Sequence, residues 1–148
     1  MSLFEQINKD IKAAMLAKEK EKLEALRAVK SAFMLAKTEK GNEELSPEKE
    51  IAIVQKLVKQ RNDTAQVYIE NNRPELAEKE KKEAEFISVY LPKQLSEEEI
   101  TAEIEKIIAD TGASSMKDMG KVMGIATKIM AGKADGKLIS KIVKEKLS

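Results

Sequence analysis

The chain of 148 residues contains neither cysteine nor histidine. Without cysteine there is no disulfide, no thiolate nucleophile and no sulfur ligand for zinc; without histidine there is no Ser-His-Asp relay and no imidazole ligand. Serine, threonine, lysine, tyrosine and carboxylates are the reactive groups that remain. Aromatic residues are nearly as scarce. Three Phe, two Tyr and no Trp argue against a β-sandwich or barrel, whose strands draw on aromatic and β-branched residues, and against an aromatic platform for stacking bases. Six Gly and three Pro are too few for a low-complexity chain. Long apolar runs are missing too: no segment approaches the roughly 18 residues of a membrane span. Met1 to Lys20 interleaves acidic and basic residues instead of the apolar stretch of a signal peptide. The expectation is a soluble, cytoplasmic protein, not secreted and without a membrane partner.

What is abundant is charge set into a helical rhythm. Charged residues make up 36% of the chain and hydrophobic ones 42%, and the apolar positions recur every three or four residues, so the charges read as solvated helix faces. Ser2 is a candidate N-cap for a helix carrying Leu3, Ile7, Ile11 and Ala14 or Met15 on one face. The run Lys18 to Lys22 marks a bend or register change, after which Leu23, Leu26, Val29 and Phe33 continue to Gly41-Asn42. Ser46-Pro47 opens the next helix, with Ile51, Val54, Leu57 or Val58, Arg61 and Ala65 or Tyr68 on its stripe. Asn71 to Pro74 starts another, whose stripe is Leu76 or Ala77, Ala84, Ile87 and Leu91.

The segment Leu91-Pro92-Lys93-Gln94-Leu95-Ser96 reads as a domain boundary, because proline disfavours helix in the residue before it and Ser96 to Glu99 forms a capping box. Beyond it, Ile100, Ile104 and Ile107 make a short helix stopped at Gly112. Ser115 and Asp118 cap a second helix that ends at Gly132, and Asp135 caps a third. The predicted fold is all-α: an N-terminal bundle or hairpin of long helices over residues 1–92 and a small three-helix domain over 93–148. Residues 1–92 carry 17 basic and 17 acidic side chains, whereas residues 113–148 carry eight lysines against three acids. That surplus of five positive charges is the one asymmetry that points to a partner.

Several short motifs carry less than their letters suggest. Ser114-Ser115-Met116-Lys117 matches the S-x-x-K of penicillin-recognising acyltransferases, but Ser115 has a structural duty as a helix cap. Asn62-Asp63-Thr64 is a glycosylation sequon lying mid-helix. Glu97, Glu98 and Glu99, with Glu103 and Glu105, complement a helix dipole rather than form an acid/base or metal site. Met116, Met119, Met123 and Met130 read first as adaptable core and second as a peptide groove.

The informative stretch is Met119-Gly120-Lys121-Val122-Met123-Gly124 followed by Gly132-Lys133-Ala134-Asp135-Gly136-Lys137. Two helical glycines cost roughly 1 kcal/mol each relative to alanine. Gly120 and Gly124 share a bare stripe that lets another helix of the domain, or a ligand backbone, approach closely, and tight packing within the domain is the expected use. Gly132 to Lys137 forms a turn into a helix start whose backbone amides and lysines suit a phosphate. Its spacing is not that of a nucleotide P-loop, and no strand precedes it. Lys121, Lys128, Lys133, Lys137, Lys141 and Lys144, with Gly120, Gly124 and Gly132, are therefore the candidate nucleic-acid-binding residues, set against an ordinary solvated lysine face.

The run Gly112-Ala113-Ser114-Ser115 through Met119 to Gly124 and the run Gly132 to Leu138, together with Met1-Ser2-Leu3 and the boundary Tyr90 to Ser96, resemble the bacterial YqeY family along essentially the whole chain. The C-terminal part also resembles the tail domain of GatB, the B subunit of the amidotransferase that corrects misacylated Glu-tRNA(Gln) or Asp-tRNA(Asn). The resemblance implies an all-helical, two-part protein whose C-terminal unit has the fold of a tail that grips tRNA and performs no catalysis. Asp135-Gly136 stands where the amidotransferase tail tends to have Asn-Pro, which adds a negative charge beside the phosphate contact. The amidotransferase's cradle domain, metal and glutaminase partner have no counterpart here, so a carbon–nitrogen ligase label would be inherited by association. The expected function is a non-catalytic tRNA-binding module with no cofactor, no metal and no catalytic residues. The alternatives are an adaptor for a protein partner in an aminoacylation or amidation complex and, least favoured, an enzyme transferring amide nitrogen.

Overall fold

A computed structural model describes all residues, Met1–Ser148. It contains seven α-helices and a single 3₁₀ turn, with no strand. The helices divide into two compact units, Met1–Leu91 and Pro92–Ser148. No helix is long and apolar enough to cross a membrane.

In the first unit, α1 (Leu3–Leu16) starts from a complete capping box: Ser2 Oγ accepts from the Glu5 amide at 3.1 Å and the Glu5 carboxylate accepts from the Ser2 amide at 3.4 Å. The charged run breaks the helix outright, with Lys18 at φ 58° turning the chain into α2 (Lys20–Glu39). Only thereby can Ile7, Ile11 and Ala14 of α1 meet Ala25, Leu26, Val29 and Phe33 of α2 in one core. α3 (Pro47–Glu70) begins at the predicted Ser46 cap, and α4 (Pro74–Ser88) follows a turn in which Asn72 takes φ 58°. Val54 and Ile87 join the core from these two helices.

Further along, α3 and α4 lie together through alanines: Ala65, Ala77 and Ala84 are buried, while Leu76, an expected core position, is 39% exposed. Small side chains are what let two helices run close side by side. Arg61 bridges the same pair, its Nε 3.4 Å from Glu83 Oε2 and its Nη1 3.5 Å from the Leu57 carbonyl. The sequon at Asn62 lies inside α3.

One buried charge was not foreseen. Glu50, in the first turn of α3, is 3% exposed, and its carboxylate accepts from the amides of Phe4 at 2.8 Å and Leu3 at 3.4 Å. It thus supplies the anion that the N-terminus of α1 favours. Tyr90 ties the end of the unit to α1 through a 2.5 Å hydrogen bond to Asp10 Oδ2. Burial, then the hydrogen bond and negative charge of Asp10, push the Tyr90 phenol above its ordinary value.

In the second unit, α5 (Glu97–Thr111) opens on the predicted Ser96 box and closes on Gly112 at φ 70°. The Glu99 carboxyl is held below its usual range, chiefly by the hydrogen bonds it shares with Ser96. The 3₁₀ turn Met116–Asp118 leads into α6 (Met119–Ile129), and α7 (Gly136–Leu147) ends the chain. Ile100, Ile104 and Ile107 pack with Val122, Ala126 and Met130, and with Ile139, Ile142, Val143 and Leu147. The methionines divide: Met130 is buried, Met119 and Met123 flank the core, and Met116 is 45% exposed.

Candidate nucleic-acid interface

Helix periodicity sorts the C-terminal side chains into two sets. In α6, Val122 and Ala126 enter the core, so the opposite side carries Gly120, Lys121, Gly124 and Lys128, all exposed. In α7, Ile139, Ile142, Val143 and Leu147 face inward, which turns Lys137, Lys141 and Lys144, at intervals of four and three, to solvent. Lys133 is exposed in the connecting turn. Of the two other lysines in residues 113–148, Lys146 pairs with Glu105 at 2.7 Å, and Lys117 is exposed in the 3₁₀ turn.

The glycine stripe is not used as expected. A Cβ placed at Gly120 or Gly124 meets no atom within 4 Å beyond its chain neighbours and the backbone of its own helix, so tight packing within the domain is overturned. The reason is the orientation of α6, whose core contacts run through Val122 and Ala126 and leave the glycines on the outer side. What remains of the two readings is an open strip of helix backbone bordered by Lys121 and Lys128.

α6 stops at Ile129, with Met130 as its C-cap, short of the expected stop at Gly132; that glycine lies buried in the turn beyond, at φ 75°, where it avoids the penalty of a Cβ. The turn is held from the preceding linker: Gln94 Nε2 donates to the Gly132 carbonyl at 2.7 Å, and the Leu95 amide donates to the Lys133 carbonyl at 2.9 Å. Sequence reasoning missed both partners, since nothing local marks Gln94 as a clamp. At the start of α7, Asp135 Oδ1 accepts from the Lys137 amide at 3.2 Å. One amide that suited a phosphate is therefore already capped, which leaves the side chains of Lys133 and Lys137 as the exposed cationic groups of the turn.

The other motifs resolve into local structure. Ser115 caps the 3₁₀ turn, and Asp118 Oδ2 accepts from the amides of Ser114 and Ser115. Glu99 belongs to its capping box and Glu105 to the pair with Lys146.

The model of the family described as Yqey-like protein matches residues 4–147. The chain belongs to the Yqey-like protein family. It is 33% identical over 119 residues, 76% of this chain and 64% of the relative, to Altered inheritance of mitochondria protein 41, mitochondrial, of Vanderwaltozyma polyspora. The proteins of the same name from Lachancea thermotolerans and Candida glabrata are 29% and 35% identical over 74% and 57% of the chain, and 59% and 47% of their own lengths. This Yqey-like chain thus spans less than two thirds of each of these relatives. They also correct the expectation of a cytoplasmic protein, because each is named a mitochondrial one. Lack of cysteine reports only that no thiol chemistry is used, which does not single out the cytoplasm.

Proposed function

We propose that the C-terminal unit of this Yqey-like protein is a non-catalytic tRNA-binding module. The observation that carries the reading is the segregation of Lys121, Lys128, Lys137, Lys141 and Lys144 onto the solvent faces of α6 and α7, with Lys133 in the turn between them. Flexible ammonium groups of this kind contact phosphates and fix register without reading bases. The open backbone at Gly120 and Gly124 permits a sugar-phosphate chain to approach closer than any side chain would allow. The resemblance of this part to the tail of the tRNA-dependent amidotransferase supports tRNA over other polyanions.

The test is equilibrium binding of the purified protein to bulk tRNA at about 50 and 200 mM salt, beside a Lys133→Ala/Lys137→Ala variant. Binding should fall with salt, and the double substitution should lower the salt slope by about two, roughly one per lost phosphate contact. Lys146→Ala, which removes a lysine already paired with Glu105, should leave the slope nearly unchanged. Absence of binding at the lower salt, or equal slopes for all three proteins, overturns the reading.

A second reading, an adaptor for a protein partner of an aminoacylation or amidation complex, is favoured by one feature of the N-terminal unit: a trough of mixed apolar and charged lining between α2 and α3.

A further inference from the structure

The trough has the form of a seat for a helix. On one wall, Ala32, Leu35 and Ala36 follow one another at helical spacing along α2. On the other, Ala52, Ile53 and Leu57 do so along α3. The trough is open to solvent, with a volume of about 370 Å³, and Leu35 is 64% exposed. Its α3 wall runs from Lys49 to Gln60, about 16 Å at 1.5 Å per residue, or three turns of a partner helix. Alanines on both walls allow close approach, and the lining repeats along two seams instead of converging polar groups on one point. That is the signature of helix-in-groove recognition, not of a small-molecule site.

The rims are charged unequally. Lys49 and Lys56, two turns apart on α3, are exposed along one side; Glu39 stands exposed on α2 at the end nearest the α2–α3 turn. We propose that this trough docks an amphipathic α-helix of another protein, acidic at positions i and i+7 along the flank that meets α3 and basic at the end that meets Glu39. Leu35 and Ile53 receive its apolar stripe, and the lysine pair selects its charge pattern and direction. The inference is independent of tRNA binding by the C-terminal unit.

The experiment uses the full chain and two hydrocarbon-stapled helices of about four turns with the same leucine stripe, one with a glutamate flank and one with a lysine flank. Fluorescence anisotropy should show the glutamate-flanked helix binding about ten-fold more tightly or better. Lys49→Glu/Lys56→Glu should invert the preference. Leu35→Glu should weaken binding at least as much while leaving the circular dichroism unchanged, because the side chain it replaces is already exposed. Equal binding of the two helices, no saturable binding, or a preference untouched by the lysine reversal overturns the proposal. Sedimentation equilibrium supplies one more outcome: a dimer dispersed by Leu35→Glu means that a second copy fills the trough, and this too overturns it.

Discussion

The Gln94 side-chain amide and the Gly132 carbonyl meet at 2.7 Å across 38 residues of chain. The same amide also donates to the Pro92 carbonyl at 2.9 Å, so one side chain joins the linker to the turn that displays Lys133. Gln94→Ala should destabilise the protein by about 1 kcal/mol, the net worth of a typical hydrogen bond. Hydrogen exchange gives the sharper readout. The Leu95 amide, bonded to the Lys133 carbonyl, should exchange faster in the variant, whereas the α5 amides should not; unchanged Leu95 protection would show that Gln94 does not hold the turn.

Gly120 and Gly124 separate stability from binding. A methyl group at either position meets no atom within 4 Å beyond its chain neighbours and the backbone of its own helix, so Gly120→Ala and Gly124→Ala should each stabilise the protein by up to about 1 kcal/mol through helix propensity. If the bare strip receives an RNA backbone, the same two changes should weaken tRNA binding. Thermal melts and binding isotherms on one preparation decide the matter, and a variant that gains stability without losing affinity removes the glycines from the interface.

Glu50 is the buried carboxylate on which the start of α1 depends. Glu50→Ala strands the Phe4 amide, and about 1–3 kcal/mol of stability should be lost. Glu50→Gln keeps an acceptor but not the charge that complements the helix terminus, so its loss should be smaller. Urea denaturation that ranks the two substitutions in the opposite order would refute this account of α1.

The Tyr90 phenol, raised above its ordinary value by burial and Asp10, makes part of the stability depend on alkaline pH. Below the unfolded value near 10 the phenol is protonated in both states and its contribution is complete. As pH rises past 10, the unfolded chain releases the proton first, and the contribution is lost towards the higher folded value. Wild type should therefore exceed Tyr90→Phe in stability at neutral pH, with the difference shrinking above pH 10. Denaturant titrations at several pH values would contradict this if the difference stayed constant.

What a reader of the sequence recovers here is what acts over three or four residues. Ser2, Ser46, Ser96, Ser115 and Asp135 all cap the turns that follow them, because a side chain and the amides two or three positions on are neighbours before the chain folds. The apolar stripes of all seven helices follow from the same periodicity, and so does the outward set of Lys137, Lys141 and Lys144 once the inward set is known.

The remainder belongs to pairs far apart in the chain. Glu50 with Phe4, Tyr90 with Asp10 and Gln94 with Gly132 carry no local mark, since each partner is an ordinary polar residue until another element arrives beside it. The glycines of α6 show the limit most plainly. Their spacing announces a bare helix face, but whether that face is buried or open depends on which side of α6 the isoleucines of α5 and α7 occupy. Spacing along one helix determines which residues share a face, and only the packing of the other helices determines which face meets water.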